Sequence, residues 1–186
     1  RRYKKNGSRK MIRIFDFLFS LIGLIFLSPL IILIFFIGLF DSGSPLFIQS
    51  RVGCNLKSFS IIKFRTMPID VRSAGTHLVK NIKLNSVGYF LRRTKLDEIP
   101  QLFNVLKGDM SLVGPRPCLF NQRKLISERK KRGVFKVRPG ITGLAPIKGI
   151  DMKTPTLVAQ TDQKMIKNMS SNKYFYYIFK TIFKII

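Results

Sequence analysis

The longest apolar run in the chain, Phe17 to Phe40, carries no charged residue over 24 positions. As a straight helix it would reach roughly 36 Å, enough to cross a bilayer, and hydropathy alone reads it as one transmembrane helix. Ser28-Pro29 interrupts the run at its middle. Proline removes a backbone donor there and clashes with the preceding turn, while the Ser28 hydroxyl can re-satisfy the freed carbonyls. Basic residues flank both sides: Arg1, Arg2, Lys4, Lys5, Arg9, Lys10 and Arg13 before it, and Arg51, Lys57, Lys63 and Arg65 after it. A spanning helix would place these two groups on opposite faces of the membrane. A helix that enters, breaks at Ser28-Pro29 and returns keeps both on one face, and this re-entrant arrangement is the expectation. A cleaved secretory signal has a shorter apolar core and a small-residue cleavage site, which "LFDSGSP" does not supply. Arg13 and Asp16, three apart, can pair on a helix and partly neutralise an aspartate at the membrane interface. The bland alternative leaves Asp16 in the headgroup zone.

Beyond residue 41 the pattern changes to short, alternating segments. "DSGSP" is a turn signal, and "LFIQS" and "FSIIKFRTM" read as strands of a short hairpin around "RVGCNLK". Residues 68 to 85 are polar. Helices are expected over Ser86 to Arg93 and Ile99 to Leu106, the latter with Ile99, Leu102, Phe103 and Leu106 on one apolar face. "VGPRP" and "VRPGITGLAP" read as glycine- and proline-rich loops, with a basic helix within Cys118 to Arg132 between them. Near the C-terminus, "NKYFYYIFKTIFKII" places Lys173, Lys180 and Lys184 on one helix face among aromatics and isoleucines. That pattern suits an interfacial amphipathic helix, and a core helix with solvated lysines is the alternative. The fold class expected is α+β: a small, mainly helical globular domain with a β-hairpin. Residues 1–40 form the basic N-terminus and re-entrant membrane helix, and residues 41–186 the cytosolic catalytic domain.

Charge narrows the partners. Thirty-four Lys and Arg against nine Asp and Glu give a formal net charge of +25, alongside 17 Phe. A disordered basic tail would be poor in Phe and Ile, so this is a folded chain with a polyanionic partner: nucleic acid, anionic membrane lipid or a phosphorylated substrate. Cys54 and Cys118 lie far apart without a CxxC, which argues against a zinc site and a disulfide framework. The lone histidine, His77, sits in a polar stretch and reads as a solvated loop residue.

Two of the few carboxylates stand side by side in "RRTKLDEIPQLFNVLKGDMSLVGPRP". Neighbouring residues do not face the same way, so Asp97 and Glu98 cannot flank one bond as an acid–base pair does. Pro100 suits a first helical turn, and a helix beginning near Leu96 or Asp97 would put Asp97 at its positive end. There an ionised aspartate beside a bound phosphate can attack phosphorus, while Glu98 could hold Mg²⁺. The alternative is plain N-capping, since Thr94-x-x-Asp97 fits a capping box. Arg116 in "GPRP" and Arg138 in "VRPG" sit in loops stiffened by proline, suited to phosphate recognition. Lys63 and Arg65 share a strand face and suit a second phosphate.

Together "RIFD", the apolar run with "SP", "DSGSPLFIQSRVG", "IIKFRTM", the long segment containing "LDE" and "GPRP", and "VRPGITG" resemble the small monotopic phosphoglycosyl transferases, or bacterial sugar transferases. The resemblance covers nearly the whole chain. It implies a bacterial inner-membrane protein with its active site on the cytosolic face and a re-entrant helix broken at Ser28-Pro29. It also implies a two-step reaction. Asp97 attacks the β-phosphorus of a UDP-sugar, UMP leaves, and the phosphosugar passes from Asp97 to undecaprenyl phosphate. Mg²⁺ is the implied cofactor, with Glu98 and Asp97 as ligands, and Lys63, Arg65, Arg116 and Arg138 are the implied diphosphate contacts. Where members often continue "ITGWAQVNGR", this chain has Leu144, Ala145, Pro146, Ile147, Lys148, Gly149 and Ile150 after Gly143. The usual lysine of "KRxFD" is Ile12. "GIDMKTP" resembles a subgroup acting on N-acetylated 6-deoxyhexoses. Anionic membrane lipids are expected partners, nucleic acid is not, and a homodimer stays open.

The rival class is a membrane-tethered basic nucleic-acid-binding protein, suggested by "QRKLISERKKRGVFKVRP". No RRM, zinc-finger or KH signature accompanies it, and it leaves the "LDE" pair unexplained. A structural membrane-surface protein binding anionic lipid is the third reading.

Overall fold

The computed structural model describes residues 2–67 and 86–185; the polar stretch 68–85, with His77, and the side chains of residues 1–9, 42, 86 and 184–185, with Lys184 of the expected basic face, lie outside this description. Helix α1 (Arg2–Ser42) contains the whole apolar run, with Pro29 inside it. Its helical backbone continues through Ser28-Pro29, so the expected break is not a gap in the helix. The Ser28 hydroxyl donates to the Ile25 carbonyl at 2.7 Å, back-bonding into the turn ahead of the proline.

Arg13 and Asp16 do not pair with each other. Arg13 donates to the carbonyls of Val105 (2.6 Å) and Leu106 (2.9 Å). Asp16, only 2% exposed, accepts bonds from the Ser111 hydroxyl (3.0 Å), the Leu112 amide (2.9 Å) and the Tyr174 hydroxyl (2.8 Å). It is buried in protein rather than in the headgroup zone, and three donors offset the cost of removing a carboxylate from water. Further along α1, Gly23 lies against Leu102, Ile34 packs with Phe64 and Leu91, and Gly38 meets Pro45. The body therefore lies along one side of α1 from Arg13 to Gly38. The other side exposes large apolar residues, among them Ile25, Phe26, Leu33 and Phe36.

Strands β1 (Leu46–Val52) and β2 (Ser58–Phe64) form the expected antiparallel hairpin, with Phe47, Gln49 and Arg51 opposite Lys63, Ile61 and Phe59. Directly paired residues share a face, so one side of the hairpin carries Phe59, Ile61, Lys63 and Arg51. Phe59 and Ile61 pack on Val105 and Met110. Helix α2 (Ser86–Arg93) falls where the pattern placed it. Helix α3 (Gln101–Lys107) begins two residues later than expected and is turned the other way. Its buried residues are Gln101, Asn104 and Val105, while Phe103 is 51% exposed and Leu102 faces α1. Asn104 explains the inversion. Its amide donates to the Ser60 carbonyl (2.8 Å) and accepts from the Ile62 amide (3.1 Å), tying α3 to β2 through a buried polar group.

The segments read as loops contain a two-stranded parallel pair, β3 (Ser111–Val113) and β4 (Gly140–Thr142). The glycines make this approach possible. A Cβ on Gly140 would lie 2.0 Å from the Gly114 amide nitrogen, and one on Gly143 would lie 2.4 Å from the Gly114 carbonyl oxygen. Helix α4 (Arg123–Lys131) is shorter than the basic segment that contains it. Helix α5 (Leu144–Ile147) is a single turn, and α6 (Pro155–Lys167) has no counterpart in the sequence reading. Arg129 of α4 and Asp162 of α6 form an ion pair at 2.8 Å, with side chains 2% and 1% exposed. Helix α7 (Ser171–Ile185) is amphipathic in a mixed way. Tyr174 and Tyr177 are buried, whereas Phe175, Phe179, Ile182 and Phe183 are exposed together with Lys173 and Lys180.

Candidate active site

Lys95 sets the geometry of the carboxylate pair. Its left-handed backbone (φ 60°, ψ 13°) sends the chain out of α2 into a 3₁₀ turn over Leu96–Glu98. Asp97 therefore precedes α3 and does not stand in its first turn. Thr94 does not cap this turn either; its hydroxyl donates back to the Phe90 carbonyl at 2.8 Å and closes α2. The tight turn aims the two carboxylates apart, as adjacent positions require.

Glu98 is the hub. Its Oε1 accepts from Lys63 Nζ at 2.5 Å and from Arg116 at 3.1 Å, and its side chain is 11% exposed. Lys63 reaches it because odd-numbered positions of β2 face the core, so the lysine extends the Phe59–Ile61 stripe. Arg116 reaches it from the crossing of the glycine-rich loops, where Arg129 donates to the Arg116 backbone carbonyl at 2.8 Å and holds the loop from behind. Burial alone would raise the Glu98 pKa, but Arg116 and Lys63 outweigh it and hold the carboxyl down at about 2. Burial pushes Lys63 down, against the pull of Glu98.

Asp97 is also buried, and its balance is different. Burial raises its pKa, Lys63 opposes this, and Glu98 adds to it, with Lys95 and Arg92 lowering it further out. Among the described residues no salt bridge reaches Asp97. One carboxylate is thus neutralised by two cations, and its neighbour stands in a positive field with no salt bridge among the described residues.

Of the cations singled out from sequence, Lys63 and Arg116 are brought to the pair, and two are not. Arg65 lies just past the end of β2, where strand alternation no longer sets its direction. Its guanidinium donates to the carbonyls of Ser44 (2.8 Å) and Leu46 (3.2 Å). Arg138 points along the outside of the β4 approach and donates to the Gly108 carbonyl at 2.7 Å. Arg51 was missed as a site residue. It lines the same crevice as Lys63, Glu98 and Arg116, and burial with the Arg116 charge lowers its pKa to about 10. The hairpin register that puts Arg51 opposite Phe59 is the signal that could have found it. Arg92 and Lys95 near Asp97 were visible only as basic residues upstream of "LDE".

The cluster gathers Arg51, Lys63 and Arg116 around Glu98, with Asp97 beside it, a concentration of positive charge of the kind that suits phosphate groups. No group of three or more His, Cys, Asp and Glu side chains occurs among the described residues. Lys63 and Arg116 already neutralise Glu98, which leaves Asp97 as the carboxylate of the pair with no salt bridge among the described residues, a donor that suits Mg²⁺ of the kind held by one or two carboxylates, water and substrate phosphates.

The chain belongs to the bacterial sugar transferase family, whose sequence profile matches residues 7–186. It is similar to an uncharacterized sugar transferase of Haemophilus influenzae, 34% identical over 198 residues, covering 96% of this chain and 41% of that protein. It is also similar to the uncharacterized sugar transferase EpsL of Bacillus subtilis, 41% identical over 138 residues, covering 74% of this chain and 68% of EpsL. The undecaprenyl-phosphate galactose phosphotransferase of Salmonella typhimurium is 36% identical over 162 residues, covering 78% of this chain and 34% of that protein. The chain thus spans about two fifths of the length of the Haemophilus relative and a third of the Salmonella one. This membership lends no support to the nucleic-acid-binding alternative.

Proposed function

We propose that this protein is a phosphoglycosyl transferase that moves a sugar-1-phosphate from a UDP-sugar to undecaprenyl phosphate in bacterial polysaccharide or glycoprotein glycan synthesis. The observation that carries the reading is the division of the carboxylates: Glu98 is occupied by Lys63 and Arg116, while Asp97 keeps a carboxylate that no salt bridge claims among the described residues. An Asp97 oxygen attacks the β-phosphorus of the UDP-sugar. The bond from that phosphorus to the bridging oxygen breaks, UMP leaves with the electron pair, and an aspartyl-phosphosugar remains. An oxygen of the lipid phosphate then attacks the same phosphorus and the Asp97 carboxylate departs. Arg51, Lys63 and Arg116 hold the diphosphate and offset charge built up on its oxygens. Asp97 would hold Mg²⁺ together with water and the substrate phosphates, Glu98 joining it only by releasing Lys63 or Arg116, and when bound the ion screens the charge of those phosphates. The similarity to a Salmonella protein named for undecaprenyl phosphate and galactose supports the acceptor class. For the sugar, an N-acetylated 6-deoxyhexose is the first donor to try.

The packing of α1 supports a membrane arrangement to go with this reaction. Its apolar segment, Lys10–Asp41, is long enough to cross a bilayer, but the polar body is attached along it from Arg13 to Gly38. A helix crossing perpendicular to the membrane would drag that body into lipid. A shallow, re-entrant seating at the inner membrane, with Ser28-Pro29 at its deepest point and α7 at the interface, keeps the site on the cytosolic face.

The test is UMP release from a panel of UDP-sugars by detergent-solubilised protein with Mg²⁺ and undecaprenyl phosphate. Asp97→Asn is expected to lose at least a thousandfold in turnover, and acid quenching of the parent should trap a phosphosugar on the Asp97 peptide. Turnover by Asp97→Asn at the parent rate would refute the covalent route.

A further inference from the structure

An apolar slot of about 390 Å³ lies beside the Glu98–Arg116 pair, between α3, the β3–β4 pair, α5 and α7. Its volume falls within the range of about 300–1,000 Å³ typical of small-molecule sites. We propose that this slot receives the first isoprene units of a polyisoprenyl phosphate, with the phosphate at Arg93, Lys95 and Arg116. This rests on the lipid-phosphate acceptor reading above and adds to it where the chain of that acceptor lies.

The walls favour a hydrocarbon. Leu102, Leu112, Ile141, Ile147, Ile178 and Ile182 supply most of them. The two hydroxyls present are already used: Thr181 donates to the Tyr177 carbonyl, so its oxygen accepts from Thr142. A nucleoside placed there would lose its hydrogen bonds to water without replacement, at a cost that a prenyl chain avoids. The slot is cationic where it borders Glu98: Arg116 is ion-paired to Glu98, the Lys95 carbonyl accepts from the Glu98 amide, and Arg93 also lines the slot; among the described residues neither Arg93 nor Lys95 has an ion pair. Glu98 and Arg116 also line the crevice that holds Arg51 and Lys63, so a phosphate there abuts the reacting cluster. At Ile182 the slot reaches the exposed apolar surface of α7. Ile182 lines the slot and is 51% exposed, on the helix that also exposes Phe175, Phe179 and Phe183. A chain can thus enter sideways from the bilayer with its headgroup leading toward the carboxylates.

The experiment uses the full chain in detergent micelles and a geranylgeranyl phosphate bearing a diazirine on its second isoprene unit. After irradiation, labelled peptides are mapped by mass spectrometry. Label is expected in α3, β4 and α7 at slot positions. Unlabelled geranylgeranyl phosphate should compete at least tenfold better than geranylgeraniol. Arg93→Gln with Lys95→Gln, both at exposed positions, should reduce labelling about tenfold, as should Ile178→Trp by filling the slot. Label confined to the exposed side of α1, or competition indifferent to the phosphate, would overturn the assignment. Labelling needs neither UDP-sugar nor turnover. A protein that labelled in the slot but released no UMP would therefore refute the proposed reaction and leave the slot standing. UMP release with label only outside the slot would do the reverse.

Discussion

Glu98→Gln preserves the shape of the side chain and deletes its charge. In the parent, Lys63 and Arg116 hold the Glu98 carboxyl at about 2, against 4.5 for an ordinary glutamate. A depression of that size corresponds to roughly 3 kcal/mol of folding stability. Because the folded-state pKa is the lower one, this contribution is complete above the unfolded value and is lost as pH falls through the folded value near 2. The parent should therefore exceed Glu98→Gln by about 3 kcal/mol at pH 7, by nearly the same amount at pH 5, and by less than half of it at about pH 3. The chain has no tryptophan, so guanidinium titrations in non-ionic micelles followed by far-UV circular dichroism are the suitable assay. Comparing the two proteins at each pH removes the contribution of Asp162, whose pKa burial shifts the opposite way; carrying Asp97→Asn in both removes that of Asp97, which Glu98 itself helps to raise. A gap between parent and variant that stays constant from pH 7 to pH 3 would mean that the Lys63–Glu98–Arg116 cluster does not hold Glu98 ionised as described.

Two further substitutions probe the supports of the site. Arg129→Met strands Asp162 at 1% exposure and should cost about 3–5 kcal/mol in the same titration, with Arg129→Met/Asp162→Leu recovering most of it. The double variant still lacks the donor to the Arg116 carbonyl, so its kcat/KM for UMP release should remain at least tenfold down; full recovery would show that Arg129 does not position Arg116. Gly140→Ala forces a Cβ to within 2.0 Å of the Gly114 nitrogen and should cost more than about 4 kcal/mol, read as loss of monodisperse protein on size exclusion. Gly43→Ala is the contrast: it has a left-handed backbone (φ 66°) but open space around it, and should cost only about 1–2 kcal/mol.

The candidate site was half legible in the chain. Asp97, Glu98, Lys63 and Arg116 could be named because charge is scarce on one side of the balance and because proline and glycine mark where a side chain is held stiffly. Arg65 and Arg138 looked equivalent to Lys63 and Arg116 by the same signals, yet both are spent on backbone carbonyls elsewhere. Alternation predicts direction only while the strand lasts, and Arg65 stands one residue beyond it. Arg51 was hidden for the converse reason, since only the hairpin register brings it onto the face of Ile61 and Lys63.

By itself the sequence determined the local elements: the long apolar helix, the hairpin, α2, and two adjacent carboxylates that cannot face one way, though it placed them in a helix start rather than in the 3₁₀ turn that precedes α3. These depend on side-chain period and turn chemistry within a few residues. Tertiary structure alone decided that α3 turns Gln101 and Asn104 inward, that the glycine loops cross as a parallel pair, and that Asp16 is locked between β3 and α7. It also decided which two of the four chosen cations meet Glu98. Those outcomes depend on close approach between segments tens of residues apart, where a missing Cβ or a buried amide selects one packing, and no local pattern encodes the partner.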